Sequence, residues 1–240
     1  PTTVPTASHP CIAGTALLPM IKDPEQAAQV ISLLSAVIAS SPRSRAFLLT
    51  PAFIKELSAL VSQPNTQKPA IELLYQLSTD GHFAVVFNES GAELTPLVEL
   101  ASTASEPSSQ QAFNILAATC INAPSRKHLL DSGCEQMLMT LLSASIATSD
   151  KTASSAGLTQ AAVELLTQLS SSSYGREKLL PKATEWLAVI DTLLSQDICS
   201  AGILRSLTAF IASEAWRKVF KESTLSNAII GLARAGEAPC

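Results

Sequence analysis

The feature that most limits what this chain can fold into is an apolar period that returns five times. Apolar or small residues stand at i, i+3, i+4 and i+7 in Val30/Leu33/Leu34/Val37, Ala70/Leu73/Leu74/Leu77, Ala112/Ile115/Leu116/Thr119, Ala162/Leu165/Leu166/Leu169 and Ile203/Ser206/Leu207/Phe210. That spacing draws one stripe along an α-helix and does not suit a strand, whose side chains alternate from face to face. The third members are Leu34, Leu74, Leu116, Leu166 and Leu207, so successive copies lie 40, 42, 50 and 41 residues apart. A striped helix must bury its stripe against a neighbour, and copies returning at a near-constant interval supply one.

Each copy continues in the same way: a turn with Ser, Gly or Pro, a short apolar segment ending in "LL" or "VF", then a second amphipathic helix. The joints read "SPRSRAFLL" from Ser41, "APSRKHLL" from Ala123, "SSYGREKLL" from Ser172 and "SEAWRKVF" from Ser213. The second helices are predicted at 51–63, 91–102, 133–144, 183–196 and 224–235, and Ile54/Leu57/Val61 and Leu94/Leu97/Val98 keep the helical period within them. The repeat-final helices are predicted near 27–40, 68–79, 109–122, 159–171 and 200–212. The long 50-residue step places a Ser/Thr-rich insertion at 143–159, and residues 1–14 read as an extended arm ahead of a single repeat domain over 15–240. Only 5% of residues are aromatic, and Ala, Ser and Leu dominate, which favours closely packed helices over a sheet. The expected fold class is all-α.

A unit of about 40 residues with two or three helices is the period of armadillo and HEAT arrays. "NESGAELTPLVELA" resembles the armadillo repeat's linker and middle helix, and "AAVELLTQLSSSSYGREKLL" its final helix running into the next repeat's short first helix. The resemblance covers the chain from about Thr15 to about Gly236 and implies a right-handed α-solenoid of about five repeats. In that family the last helix of each repeat lines the partner-binding groove. Aligned on the five leucines, the groove positions become Ser32, Glu72, Asn114, Glu164 and Arg205, then Ala36, Gln76, Ala118, Gln168 and Ala209. The Trp/Asn ladder with which nuclear-import receptors of the family hold basic peptides is absent. The resemblance therefore implies protein binding through Glu72, Gln76, Asn114, Glu164, Gln168 and Arg205, with the Glu/Gln pairs suited to a basic side chain.

Catalytic chemistry finds no foothold. The sequence has no Gly-rich phosphate loop, no G-x-S-x-G, no H-E-x-x-H and no C-x-x-C, and only His9, His82 and His128 could act as a neutral-pH base. No cofactor, metal or catalytic residue is expected. Cys120, His128 and Cys134 come nearest to a metal cluster, but spacings of eight and six match no structural zinc pattern, and Cys120 reads as core. Arg45, Arg126, Arg176 and Arg217 follow the apolar helices, where free carbonyls and the negative end of the helix dipole favour a cation. Trp186 and Trp216 read as core rather than as exposed anchors. A net charge of -4 without a basic run argues against nucleic acid, and no apolar run is long enough for a membrane span. Five scattered cysteines suit a reducing, cytoplasmic setting. A charged fraction of 15% suits a subunit covered by neighbours in a larger assembly. The expected function is a non-enzymatic protein-binding scaffold; a karyopherin-like cargo adaptor and an armadillo-type Hsp70 nucleotide-exchange regulator are the alternatives.

Overall fold

The computed structural model describes residues 12–23, 25–103, 107–147, 153–196, 199–223 and 225. Among these residues all regular structure is helical, and the chain is all-α. It divides into two compact units, one reaching to Pro96 and the other starting at Leu97. Residues 1–11 of the arm expected at 1–14 and most of the helix expected at 224–235 lie outside the described residues, while residues 12–14 are not extended but form the first turn of a helix.

The first unit contains α1 (Ile12–Lys22), α2 (Ala27–Ser40), a 3-10 turn (Pro42–Ser44), α3 (Arg45–Leu48), α4 (Pro51–Leu60), α5 (Gln67–Ser78) and α6 (Phe83–Ser90). Local chemistry sets these bounds. Thr50 caps α4 by accepting a bond from the Phe53 amide at 3.3 Å, and Pro51 takes the first helical position, where no amide is needed. Gly91 ends α6 in the left-handed region, at φ 62°, which a side chain would resist. Helices α2 and α5 pack side by side, and α4 packs on α1, α5 and α6. The core joins Ile31 and Ile38 of α2, Phe53, Ile54 and Leu57 of α4, Leu73, Leu74 and Leu77 of α5, and Phe83 and Phe87 of α6.

The second unit follows with α7 (Thr95–Thr103), which spans the boundary, α8 (Ser108–Thr119), α9 (Ala123–Asp131), α10 (Cys134–Ala147), α11 (Ala153–Ser170), α12 (Ser173–Leu179), a 3-10 turn (Leu180–Lys182), α13 (Ala183–Ser195), α14 (Ser200–Ile211) and α15 (Glu214–Glu222). The long helices α8, α11 and α14 lie in order, α11 packing on both of the others, while α10 packs on α11 and α13. Much of the segment read as a Ser/Thr-rich insertion is helical: α10 runs on to Ala147 and α11 starts at Ala153, and residues 148–152 lie outside the described set. All four stripe members of α8, α11 and α14 are buried. Between α11 and α14 the backbones come close, because a Cβ on Gly202 would sit 2.8 Å from Val163 Cγ1. Thr167 and Ser206 seal that contact with a 2.8 Å bond between their hydroxyls. Trp186 and Trp216 are both core residues, Trp216 stacking on Phe210 at 4.0 Å and donating its indole N–H to the Arg176 carbonyl at 2.8 Å.

One helix departs from its expected phase. In α2 the buried residues are Ala27, Ile31, Ser35 and Ile38, whereas Leu33 is 66% exposed and Val37 45%. The stripe is rotated by one residue, so Ser35 rather than Leu34 stands where Leu74 stands in α5.

Candidate functional site

The exposed faces of the long helices carry the six residues that the sequence puts forward. In the second unit three of them meet. Glu164 and Gln168 are one turn apart on α11, and Gln168 Nε2 donates to Glu164 Oε1 at 3.0 Å. Arg205, on the neighbouring α14, donates from Nη2 to Glu164 Oε2 at 3.1 Å. Both carboxylate oxygens are thus taken by the chain itself. The pair is partly exposed, 60% for the Arg205 side chain and 30% for that of Glu164, so its contribution to stability is small, about 0–1 kcal/mol. Its use is positional: it fixes a guanidinium and an amide on one face. Asn114 lies half-buried on α8, the helix packed on the other flank of α11.

In the first unit Glu72 and Gln76 stand one turn apart on α5 at equivalent positions, with a different outcome. Glu72 is exposed and forms no ion pair or hydrogen bond through its side chain among the described residues. Gln76 is half-buried, and its Oε1 is covered without a donor. This corrects the expectation that both Glu/Gln pairs await a basic side chain, because Glu164 already holds one from Arg205. Glu72 does not.

The rotation of α2 changes which residues share this face. Ser32 and Ala36 are replaced as the equivalents of Glu72 and Gln76 by Leu33 and Val37, the two exposed apolar residues of α2. Since α2 packs beside α5, the first unit pairs an exposed aliphatic ridge with an unpaired carboxylate. The sequence held a signal for this. Arg126, Arg176 and Arg217 each stand ten residues after the buried anchors Leu116, Leu166 and Leu207, and Arg45 stands ten after Ser35 but eleven after Leu34.

No family model matches the chain, and no curated protein matches it. Among solved structures, two crystal structures of engineered proteins from the Northeast Structural Genomics Consortium resemble it. One is 16% identical with a TM-score of 0.65, covering 83% of each chain. The other is 18% identical with a TM-score of 0.66, covering 87% of this chain and 86% of its own. At such identities the likeness concerns the fold alone, and it agrees with an all-α chain.

The remaining chemistry-bearing residues do not gather. Among the described residues no three His, Cys, Asp or Glu side chains come together as a metal site. Cys120 and Cys134 are buried, and burial raises both thiols, Cys134 to about 12. His128 is exposed on α9. Among the described residues no helix is long and apolar enough to cross a membrane.

Proposed function

We propose that this chain is a right-handed α-solenoid of about five armadillo-like repeats that serves, without catalysis, as a protein-binding scaffold, probed by its partner along the face of the long helices. The observation that carries this reading is the recurrence, within each unit, of long helices packed side by side with equivalent positions kept outside the buried core: Leu33, Val37, Glu72 and Gln76 in one, Asn114, Glu164, Gln168 and Arg205 in the other. Exposed aliphatic residues beside an unpaired carboxylate suit a polypeptide that brings a basic side chain and an apolar neighbour, and the Glu164–Arg205 pair supplies a pattern for the first contact. The low charged fraction supports residence in a larger assembly, and the free cysteines Cys120, Cys134 and Cys199 support a reducing, cytoplasmic setting for it.

A peptide array probed with the chain tests the reading. Short basic-apolar sequences are expected to bind, and Glu72→Arg is expected to weaken them by about tenfold or more through charge reversal. Glu164→Ala is expected to matter less, since that carboxylate is already engaged. Retention of every binder by the Glu72→Arg chain overturns the proposed face.

A further inference from the structure

A second feature lies away from that face, where the short helices α9 and α12 meet the ends of α8 and α11. A cleft of about 260 Å³ opens there, lined by Ala123, Arg126, Lys127, Ser172 and Tyr174. Its volume falls below the roughly 300 Å³ at which drug-sized ligands begin, and suits a single side chain. Its wall is the Tyr174 ring. Its charge is cationic, and the neighbouring bonds explain why that charge is not spent.

Asp131, one turn beyond Lys127 on α9, would be the obvious partner for Lys127. It is engaged elsewhere: the Tyr174 hydroxyl donates to Asp131 Oδ1, and Lys178 Nζ lies 3.0 Å from the same oxygen. These two bonds hold the Asp131 carboxyl below the ordinary aspartate range. Lys127 acts on Asp131 through space without bonding to it, and its ammonium lies 5.9 Å from the Tyr174 ring centroid, at the outer limit of a cation–π contact and on a ring that Lys178 approaches more closely, at 5.4 Å. Arg126 spends two donors on the end of α8, Nε to the Cys120 carbonyl at 2.9 Å and Nη2 to the Ile121 carbonyl at 3.2 Å. A guanidinium has five donors, so the group is fixed in place with donors to spare.

We propose that the cleft between α9 and α12 binds the carboxylate of an acidic side chain carried by a partner polypeptide, with Lys127 and Arg126 as counter-charges and Tyr174 as the wall for its methylenes. A monoanion fits better than a phosphate dianion because Asp131 stands at the edge of the site. The source of the carboxylate rests on the protein-binding reading above; the cleft's own chemistry does not, and it is tested without touching Glu72.

A fluorescent, blocked tetraglutamate peptide serves as the probe, with binding followed by anisotropy and its location by amide chemical-shift changes. The wild-type chain is expected to bind saturably, more weakly as salt rises, with shifts centred on Lys127, Ser172 and Tyr174. Lys127→Glu, an exposed change that leaves the fold intact, is expected to weaken binding about tenfold or more. Lys55→Glu, the same change on α4 of the other unit, is expected to leave it within about twofold. Absence of saturable binding, an equal loss with Lys55→Glu, or shifts centred elsewhere each overturns the site. Tighter binding of a matched phosphoserine peptide overturns the choice of carboxylate.

Discussion

An arginine at the fourth residue past a helix N-cap reaches back along the chain because the carbonyls that end the preceding helix have no amide to receive. Arg126, Arg176 and Arg217 do this at the same offset, Arg126 through Nε and the other two through Nη1. Each backbone amide bonds to its own N-cap, at Asn122, Ser172 and Ser213, and each side chain donates to the carbonyl six residues earlier, at Cys120, Ser170 and Ile211. The three N-caps share extended backbone angles, which turn the short helix back over the end of the long one. Arg45 is the exception. Its joint is a 3-10 turn, and its guanidinium donates to no carbonyl among the described residues. The residue before each arginine decides how tightly the joint closes. Ser125 and Trp216 carry a Cβ there, but at Gly175 a Cβ would stand 1.8 Å from the Leu169 carbonyl oxygen, so the α11–α12 joint is drawn tighter than its fellows. Gly175→Ala must open it by more than about 1 Å, to a geometry the α9 joint already shows is accessible. The expected cost is therefore moderate, about 2 kcal/mol, or about 5 °C in Tm by calorimetry. An unchanged Tm would mean that the joint carries no constraint.

Helices as elements were legible because their cores obey one rule. Four of the five helices with that apolar period bury the stripe it marks, and turn chemistry such as Thr50–Pro51 and Gly91 places their neighbours. The fifth, α2, shows where that rule loses information. Its run "VISLLSAVIAS" is apolar on nearly every side, so periodicity identifies a helix without fixing its rotation. The packed neighbour fixes it, turning Ile31 and Ile38 inward and Leu33 and Val37 outward. The same loss affected the candidate site. Glu72, Gln76, Asn114, Glu164, Gln168 and Arg205 could be placed on equivalent helix faces from spacing alone, but that Arg205 reaches Glu164 depends on how α14 sits against α11, which no spacing within one helix records. Stability tests the rotation directly. Ile38→Ala removes a fully buried side chain and is expected to cost about 2–4 kcal/mol in urea unfolding, whereas Val37→Ala is expected to cost less than about 1 kcal/mol. Equal costs, or a larger one at Val37, would return α2 to the phase its apolar spacing suggests.

At the scale of the molecule, both tryptophans and the two most perturbed thiols fall in the second unit, which makes that unit separately observable. Trp186 and Trp216 are buried there, so indole fluorescence reports its unfolding, while circular dichroism reports helices of both units. Cys120 and Cys134 are buried in the same unit, and desolvation is the first cause that raises each thiol; for Cys120 the neighbouring Cys134 adds to it, and for Cys134 the charge of Glu135 does. An unfolded thiol ionises near about 8.5, so above that pH the unfolded chain gives up protons that the folded one keeps. The folded state then binds more protons than the unfolded, and stability falls with rising pH. The contribution is whole below about pH 8.5 and declines as pH climbs towards about 12, where Cys134 itself ionises in the fold. Urea titrations at pH 7.5 and pH 10 are expected to show the indole transition moving to lower urea at the higher pH. The Cys120→Ala/Cys134→Ala chain, less stable at both, is expected to show a smaller pH-dependent shift, because its other titrating groups are those of the wild type. A pH shift equal in the two chains would mean that these thiols do not set the alkaline limit, and would move the cause to residues shared by both.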